Sequence, residues 1–251
     1  MKNPVLAGRI AAAILLASAA PAAFAELGPF TGQAALYSEY EFRGIGQTNQ
    51  NPAVQLTLDY DHPMGFYAGT FLTNSRWLKD TGDEIGVDSN SRFEWDVYAG
   101  WRFRPIREAM VDVGYRHYEF PSAGSFDPKP NTDEVYVAGT WSILTVSYYY
   151  SINEAFGVPD SKGSDYAEAR VRFPIEQVGG LALEGLVGRQ RYKHASGLDY
   201  TVWKAGATYD LNRNLRFGAY YKGTDAESEP YTVKGKDLGR DRLVAYVAYR
   251  F

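Results

Sequence analysis

After Thr31 apolar and polar side chains alternate along almost the whole chain, with the period of two that sends successive residues of a β-strand to opposite faces. In the closing stretch, Asp241 to Phe251, one face carries Leu243, Ala245, Val247, Tyr249 and Phe251 and the other carries Arg242 and Arg250. Near the start, Ala34, Leu36, Ser38, Tyr40 and Phe42 oppose Gln33, Tyr37, Glu39, Glu41 and Arg43, which reads as one continuous strand. A second segment sets Val54, Leu56, Leu58 and Tyr60 against Gln55, Thr57, Asp59 and Asp61. The clearest sets Phe93, Trp95, Val97, Ala99, Trp101 and Phe103 against Arg92, Glu94, Asp96, Tyr98 and Arg102. Segments 111–116, 134–141, 144–150, 166–173, 200–210 and 215–222 repeat the pattern. The faces of 66–73 cannot be assigned, and 181–192 loses its alternation at Arg189, but both are strand-like, which makes twelve segments.

The connections alternate as well. Short ones (62–65, 104–109, near 142, 174–180, 211–214) interleave with mostly longer polar ones (44–51, 74–91, 121–133, 152–164, 193–199, 223–240). Strands with an apolar and a polar face, aromatic residues near the ends of the apolar face, and short turns on one side with long loops on the other predict a single up-and-down antiparallel transmembrane β-barrel of about twelve strands. An even strand number places both chain ends on the short-turn, periplasmic side. A terminal Phe251 with Tyr249 on the same face resembles the C-terminal targeting strand of bacterial outer-membrane barrels, and that resemblance implies the barrel-assembly machinery as a partner. The polar average that alternation produces is compatible with lipid contact, and no run of 18 apolar residues follows Ala25, so a helical membrane protein is excluded.

Residues 1–25 read as a cleavable signal peptide: Lys2 and Arg9 are its basic region, Ile10 to Ala20 its apolar core, and Ala23-Phe24-Ala25 its cleavage site. The barrel would then occupy 26–251 and lie in the bacterial outer membrane. Without Lys2 and Arg9 the chain has 24 bases against 30 acids, a net charge of −6, which argues against a nucleic-acid partner. With no cysteine there is neither a disulfide framework nor a thiolate site, and nothing indicates a cofactor.

Ser38-Glu39-Tyr40-Glu41-Phe42-Arg43-Gly44-Ile45-Gly46-Gln47-Thr48, then Pro52-Ala53-Val54-Gln55, Asp59-Tyr60 and Gly65-Phe66-Tyr67-Ala68-Gly69 resemble the opening blocks of the TorF-family porins. Asp96-Val97-Tyr98-Ala99-Gly100 and Asp133-Glu134-Val135-Tyr136-Val137 are similar to later blocks, and Gly46 departs from the serine expected there. The resemblance implies an outer-membrane barrel of porin type, with no catalytic residues and no stated substrate.

The alternation points eleven acids and eleven bases inward, with Glu39, Glu41, Arg43, Glu94, Asp96, Tyr98, Arg116, Glu168, Arg170, Lys204 and Arg242 as candidate lumen-lining residues. Twelve strands lie between the small barrels filled by side chains and those with a wide channel, so a narrow lumen is expected. It would pass small polar solutes or ions, outer-membrane lipids being the other partner. The alternative is a plugged, structural barrel without conductance. A second alternative, a lipid hydrolase, would use His194 and Ser196, but a His-x-Ser in a loop names neither an orienting acid nor an oxyanion donor. Asp80, Asp83, Glu84 and Asp88 form an acidic loop whose spacing fits no EF-hand, so it reads as a solvated segment. The long loops sum to −5, of which 74–91 contributes −2 and 121–133, 152–164 and 223–240 each −1, which predicts a weak cation preference at the mouth.

Overall fold

The computed structural model describes residues 29–251, so the expected signal peptide lies outside the described residues. In chain order the elements are β1 (Phe30–Tyr37), β2 (Glu41–Phe42), β3 (Ile45–Gly46), β4 (Ala53–Asp61), β5 (Phe66–Asn74), α1 (Trp77–Ile85), β6 (Phe93–Ile106), β7 (Ala109–Glu119), β8 (Thr132–Trp141) and β9 (Leu144–Ser151). They continue with β10 (Asp165–Pro174), β11 (Leu181–Arg191), β12 (Tyr200–Asp210), β13 (Leu215–Thr224), β14 (Thr232–Val233), β15 (Lys236–Asp237) and β16 (Arg242–Arg250).

Twelve of these strands form a closed antiparallel barrel, each pairing with its neighbour in the chain, and β1 closes it against β16. The seal runs to the last residue: Gly32 donates its backbone N–H to the Phe251 carbonyl at 2.8 Å and accepts from the Phe251 N–H at 3.0 Å. The Phe251 ring lies over Gly32, where a Cβ would fall 2.4 Å from it. Closure leaves no strand edge with unpaired backbone groups, the condition a β chain must meet in hydrocarbon. Outside, Val54, Leu56, Leu58, Trp95, Val97, Val135, Val137, Val146, Val171, Leu183 and Trp203 are exposed, an uncovered apolar belt on the faces that the alternation assigns outward.

Both ambiguous strands now have faces. In β5, Phe66 and Leu72 are exposed outward while Tyr67 and Phe71 point in. Thr70 interrupts the apolar face, but its hydroxyl donates to the Asp96 carbonyl (2.8 Å) and accepts from Trp95 Nε1 (2.7 Å), so no polar atom is left bare. In β11 the alternation persists and its surroundings change. Arg189 donates to Thr201 Oγ1 (3.0 Å) and pairs with Asp225 (3.7 Å), and Arg191 pairs with Asp165 (2.8 Å), so the outward face has left the apolar belt for a polar rim.

Two expectations are corrected. The first strand does not run to Arg43: β1 ends at Tyr37, and residues 38–51 turn into the barrel as the hairpin β2–β3. Tyr40 (6 % exposed) and Ile45 (8 %) are therefore buried inside, and the segment 44–51 is no outer loop. The acidic segment 74–91 is no solvated loop either, because it contains α1, whose Leu78, Asp80 and Gly82 are buried. The buried core lies at the long-loop end of the lumen. There Ile45 packs with Tyr166, Tyr200, Val202, Val233 and Leu238, and Leu78 of α1 with Tyr118, Phe120 and Ala123.

Candidate functional site

The inward hairpin divides the lumen. Its two-residue turn, Arg43-Gly44, has φ of 48° and 88°, the left-handed pair that matches the twist of a tight β-hairpin. Gly44 is required twice over, since a Cβ there would also meet Val202 Cγ2 at 2.6 Å and Thr224 Cγ2 at 2.7 Å on the far wall.

Arg43 carries the turn to the β8–β11 wall. Its Nη2 donates to Glu134 Oε2 at 2.6 Å and its Nη1 to Glu134 Oε1 at 2.9 Å and to Gln190 Oε1 at 3.0 Å. Its guanidinium carbon lies 4.4 Å from the Tyr166 ring centroid and 5.1 Å from that of Tyr149, so aromatic faces take the rest of the charge. Glu134 also accepts from the Tyr118 hydroxyl at 3.0 Å and is fully buried. This is a desolvated, bidentate ion pair, strong because both partners are satisfied and costly if one is removed.

Other anchors hold the sides and root of the hairpin. Glu41 pairs with Lys204, accepts from the Gly44 N–H at 2.7 Å, and accepts from the Tyr220 hydroxyl at 3.2 Å. Tyr40 donates its hydroxyl to Glu94 Oε1 at 2.9 Å. Glu39 accepts from the Gln50 N–H at 3.0 Å and faces Arg242 at 3.5 Å. Lys222, fully buried, donates to the carbonyls of Gly44 (2.7 Å) and Leu238 (3.1 Å). Thus Glu39, Glu41 and Arg43 are inside the lumen but on the hairpin, whereas Glu94, Asp96, Tyr98, Arg116, Glu168, Arg170, Lys204 and Arg242 are on wall strands.

A cavity of about 410 Å³ lies on the short-turn side of the hairpin, lined by Glu41, Asp96, Tyr98, Arg116, Arg170 and Lys204 among others. A second, of about 210 Å³, lies on the long-loop side and is mainly aromatic, with Trp77, Phe120, Phe156, Tyr200 and Tyr231. Phe42 lines both, so the hairpin is the partition between them. Below the larger cavity, wall charges are paired across strands: Arg216 with Asp210 (2.7 Å), Arg250 with Asp210 (2.7 Å), and Arg102 with Asp61 (2.9 Å) and Asp112 (3.2 Å).

The acidic segment ties loops together over the mouth. Asp80 accepts from Asn49 of the hairpin segment at 3.1 Å and pairs with Arg76 at 3.2 Å. Burial raises its pKa, but the hydrogen bonds from Arg76 and Asn49 and the Lys234 charge outweigh it and hold the carboxyl below its ordinary value. Asp83 is exposed, and hydrogen bonds from Lys79 and Lys234 (2.9 Å) hold it down at about 2. Glu84 accepts the Lys234 backbone N–H at 3.0 Å, while Asp88 is exposed. His194 contacts the Asp160 carbonyl at 3.1 Å, and Ser196 opens a 3₁₀ turn. Tyr249 and Phe251 stack with centroids 6.4 Å apart.

A closed twelve-strand barrel with an apolar exterior and an ion-paired, cavity-bearing lumen defines the porin-like barrels. Among solved structures the chain is similar to a KdgM porin, at 7% identity over 88% of this chain and 98% of that one, with a TM-score of 0.55. It is also similar to the KdgM porin in complex with disordered oligogalacturonate (8% identity, 88% and 97% covered, TM-score 0.53) and to a NanC porin (10% identity, 88% and 98% covered, TM-score 0.53). At these identities the likeness is one of fold. The chain belongs to the family described as "Bacterial protein of unknown function (Gcw_chp)", whose model matches residues 22–251. No curated relative matches it by sequence.

Proposed function

We propose that this protein is an outer-membrane channel for passive diffusion of small polar solutes or ions, narrowed by its own inward hairpin. The observation that carries the reading is the pairing of an exposed apolar belt with a charged lumen that holds a 410 Å³ cavity. A barrel serving only as scaffold has no need of that space. The porin-like neighbours support passage of solutes, one of them being described with a bound oligogalacturonate, and the TorF-family resemblance of residues 38–48 agrees. The leader implied by residues 1–25 would deliver the chain to the outer membrane, and the Tyr249/Phe251 end would present it for assembly. A catalytic role for His194 is disfavoured because its ring contacts the Asp160 carbonyl and, among the described residues, makes no hydrogen bond to Ser196.

For small inorganic ions the mouth sets the sign. Its loops sum to −5, with the Arg76, Lys79 and Lys234 pairs already counted, so weak cation preference follows and fades as salt shortens the screening length to about 3 Å at 1 M. Planar-bilayer recordings in a potassium chloride gradient test the whole reading: the reversal potential should have the cation sign and shrink with salt. Absence of any conductance from folded protein would establish the plugged, structural barrel instead.

A further inference from the structure

Around the larger cavity acids and bases balance in number but not in exposure. Each base stands in front of its own carboxylate: the Arg116 side chain is 31% exposed against 1% for Asp96, Arg170 54% against 11% for Glu168, and Lys204 21% against 4% for Glu41. Glu184, at 36%, has Arg172 3.1 Å away. A solute in this space therefore meets cationic heads, with most compensating oxygens behind them.

Arg116 differs from the other bases. Lys204 is bonded to Glu41, Arg170 donates to Glu168 at 3.1 Å, and Arg43 is bidentate on Glu134. Among the described residues the Arg116 guanidinium makes no hydrogen bond. Its contact with Asp96 Oδ2 is 3.7 Å, too long for one, and its Nε is buried without an acceptor. Asp96 Oδ1 is likewise buried and unpartnered. The guanidinium carbon lies over the Tyr98 ring, 4.6 Å from its centroid. Its terminal nitrogens are unfilled donors at a cavity wall, and their spacing matches the two oxygens of a carboxylate.

We propose that this cavity is a binding site for a small monocarboxylate, seated bidentately on Arg116 with Arg170 as the second cation. The proposal rests on the channel reading for the route by which solute arrives. Charge number follows from the mouth: loops summing to −5 repel multiply charged anions more than singly charged ones. Tyr37 and Tyr246, stacked at 4.5 Å on the cavity wall, offer hydroxyls to the rest of the solute, which points to a hydroxy acid or an amino acid rather than a fatty acid.

The test is calorimetric titration of the full chain, refolded in detergent, with sodium gluconate, sorbitol and glutamine. Gluconate should bind saturably and sorbitol, a comparable polyol without the carboxylate, should not. Glutamine binding as tightly as gluconate places amino acids within the class, and its failure narrows the class to hydroxy acids; either outcome keeps the carboxylate site. Arg116→Gln should weaken gluconate binding roughly ten- to hundredfold, the loss of charge-assisted hydrogen bonds. Should that variant not fold, Arg170→Gln, more exposed and away from Asp96, should weaken binding several-fold. Arg213→Gln, in an exposed turn, should change nothing. Equal binding of sorbitol and gluconate, no saturable heat, or wild-type gluconate affinity in folded Arg116→Gln would overturn the site. Potassium chloride conductance without gluconate binding removes the site and leaves the channel; gluconate binding without conductance does the reverse.

Discussion

Arg43→Ala should widen the path past the hairpin. Removing one partner of a buried ion pair costs about 3 to 5 kcal/mol, because the remaining charge stays desolvated. At about 1.4 kcal/mol per decade, the docked position of the hairpin tip loses roughly two to three and a half decades of its preference over displaced ones. The other anchors remain: Glu41 with Lys204, Tyr40 with Glu94, and Lys222 with the Gly44 carbonyl hold the root and the β12–β13 side. The substitution removes the hydrogen bonds to Glu134 and Gln190 and uncovers the faces of Tyr149 and Tyr166, so the crevice opens between Phe42 and the β8–β11 wall and joins the cavities on either side. Single-channel recording should show a larger conductance, or longer open times, than the wild type. Adding Glu134→Ala should raise it little further, since the two residues act as one latch. The pair is buried, so this gain should persist at high salt, where the mouth's selectivity fades. Wild-type conductance from Arg43→Ala protein that still shows heat-modifiable gel mobility, or additive effects of the two substitutions, would refute the latch.

The tie between α1 and the β14–β15 loop should depend on acid. The Asp83 pKa is lowered to about 2 by Lys79 and Lys234, so its contribution is complete above its unfolded value and is lost as pH falls toward 2; the amide-exchange protection of 77–85, taken relative to the intrinsic exchange rate at each pH, should be high at pH 6 and fall below about pH 4, and pH-independent protection would contradict the tie. Gly218→Ala should destabilise the barrel by about 1 to 3 kcal/mol, since the new Cβ would lie 2.2 Å from the Tyr246 ring. Gly139→Ala, with nothing within 4 Å, should shift the denaturant midpoint in detergent hardly at all, and equal shifts for the two variants would show that ring-over-glycine packing is not the cause.

The wall was legible because it obeys a local rule. The outward-facing residues of β6, β9 and β16 are those that the period of two assigns, and even β5 keeps that period once the Trp95–Thr70 hydrogen bond explains the outward threonine. The hairpin was misread because it obeys the same rule. Glu39, Glu41 and Arg43 alternate with Tyr40 and Phe42 in a lumen hairpin as they would in a wall strand, and alternation reports that a segment is extended, not which sheet it joins. A turn signal was present in Phe42-Arg43-Gly44-Ile45, where a glycine follows a residue that must also take positive φ.

What the sequence did not contain was the far partner. Glu134 lies 91 residues beyond Arg43 and Gln190 lies 147 beyond it, so the latch exists only after the barrel has closed. Facing posed the same difficulty for the waist charges. A count of eleven inward acids and eleven inward bases describes a neutral lumen, yet Asp96, Glu168 and Glu41 lie behind Arg116, Arg170 and Lys204. A solute responds to that difference, because the field it meets depends on which charges water and ions can reach as well as on how many are present. The hairpin adds to the imbalance. By drawing Glu41 onto Lys204 and closing the space above with Phe42, it buries carboxylate oxygen and leaves the Lys204 ammonium the more exposed partner. The element that narrows the lumen therefore also sets the chemistry of the space it leaves, and displacing it should change both conductance and carboxylate binding.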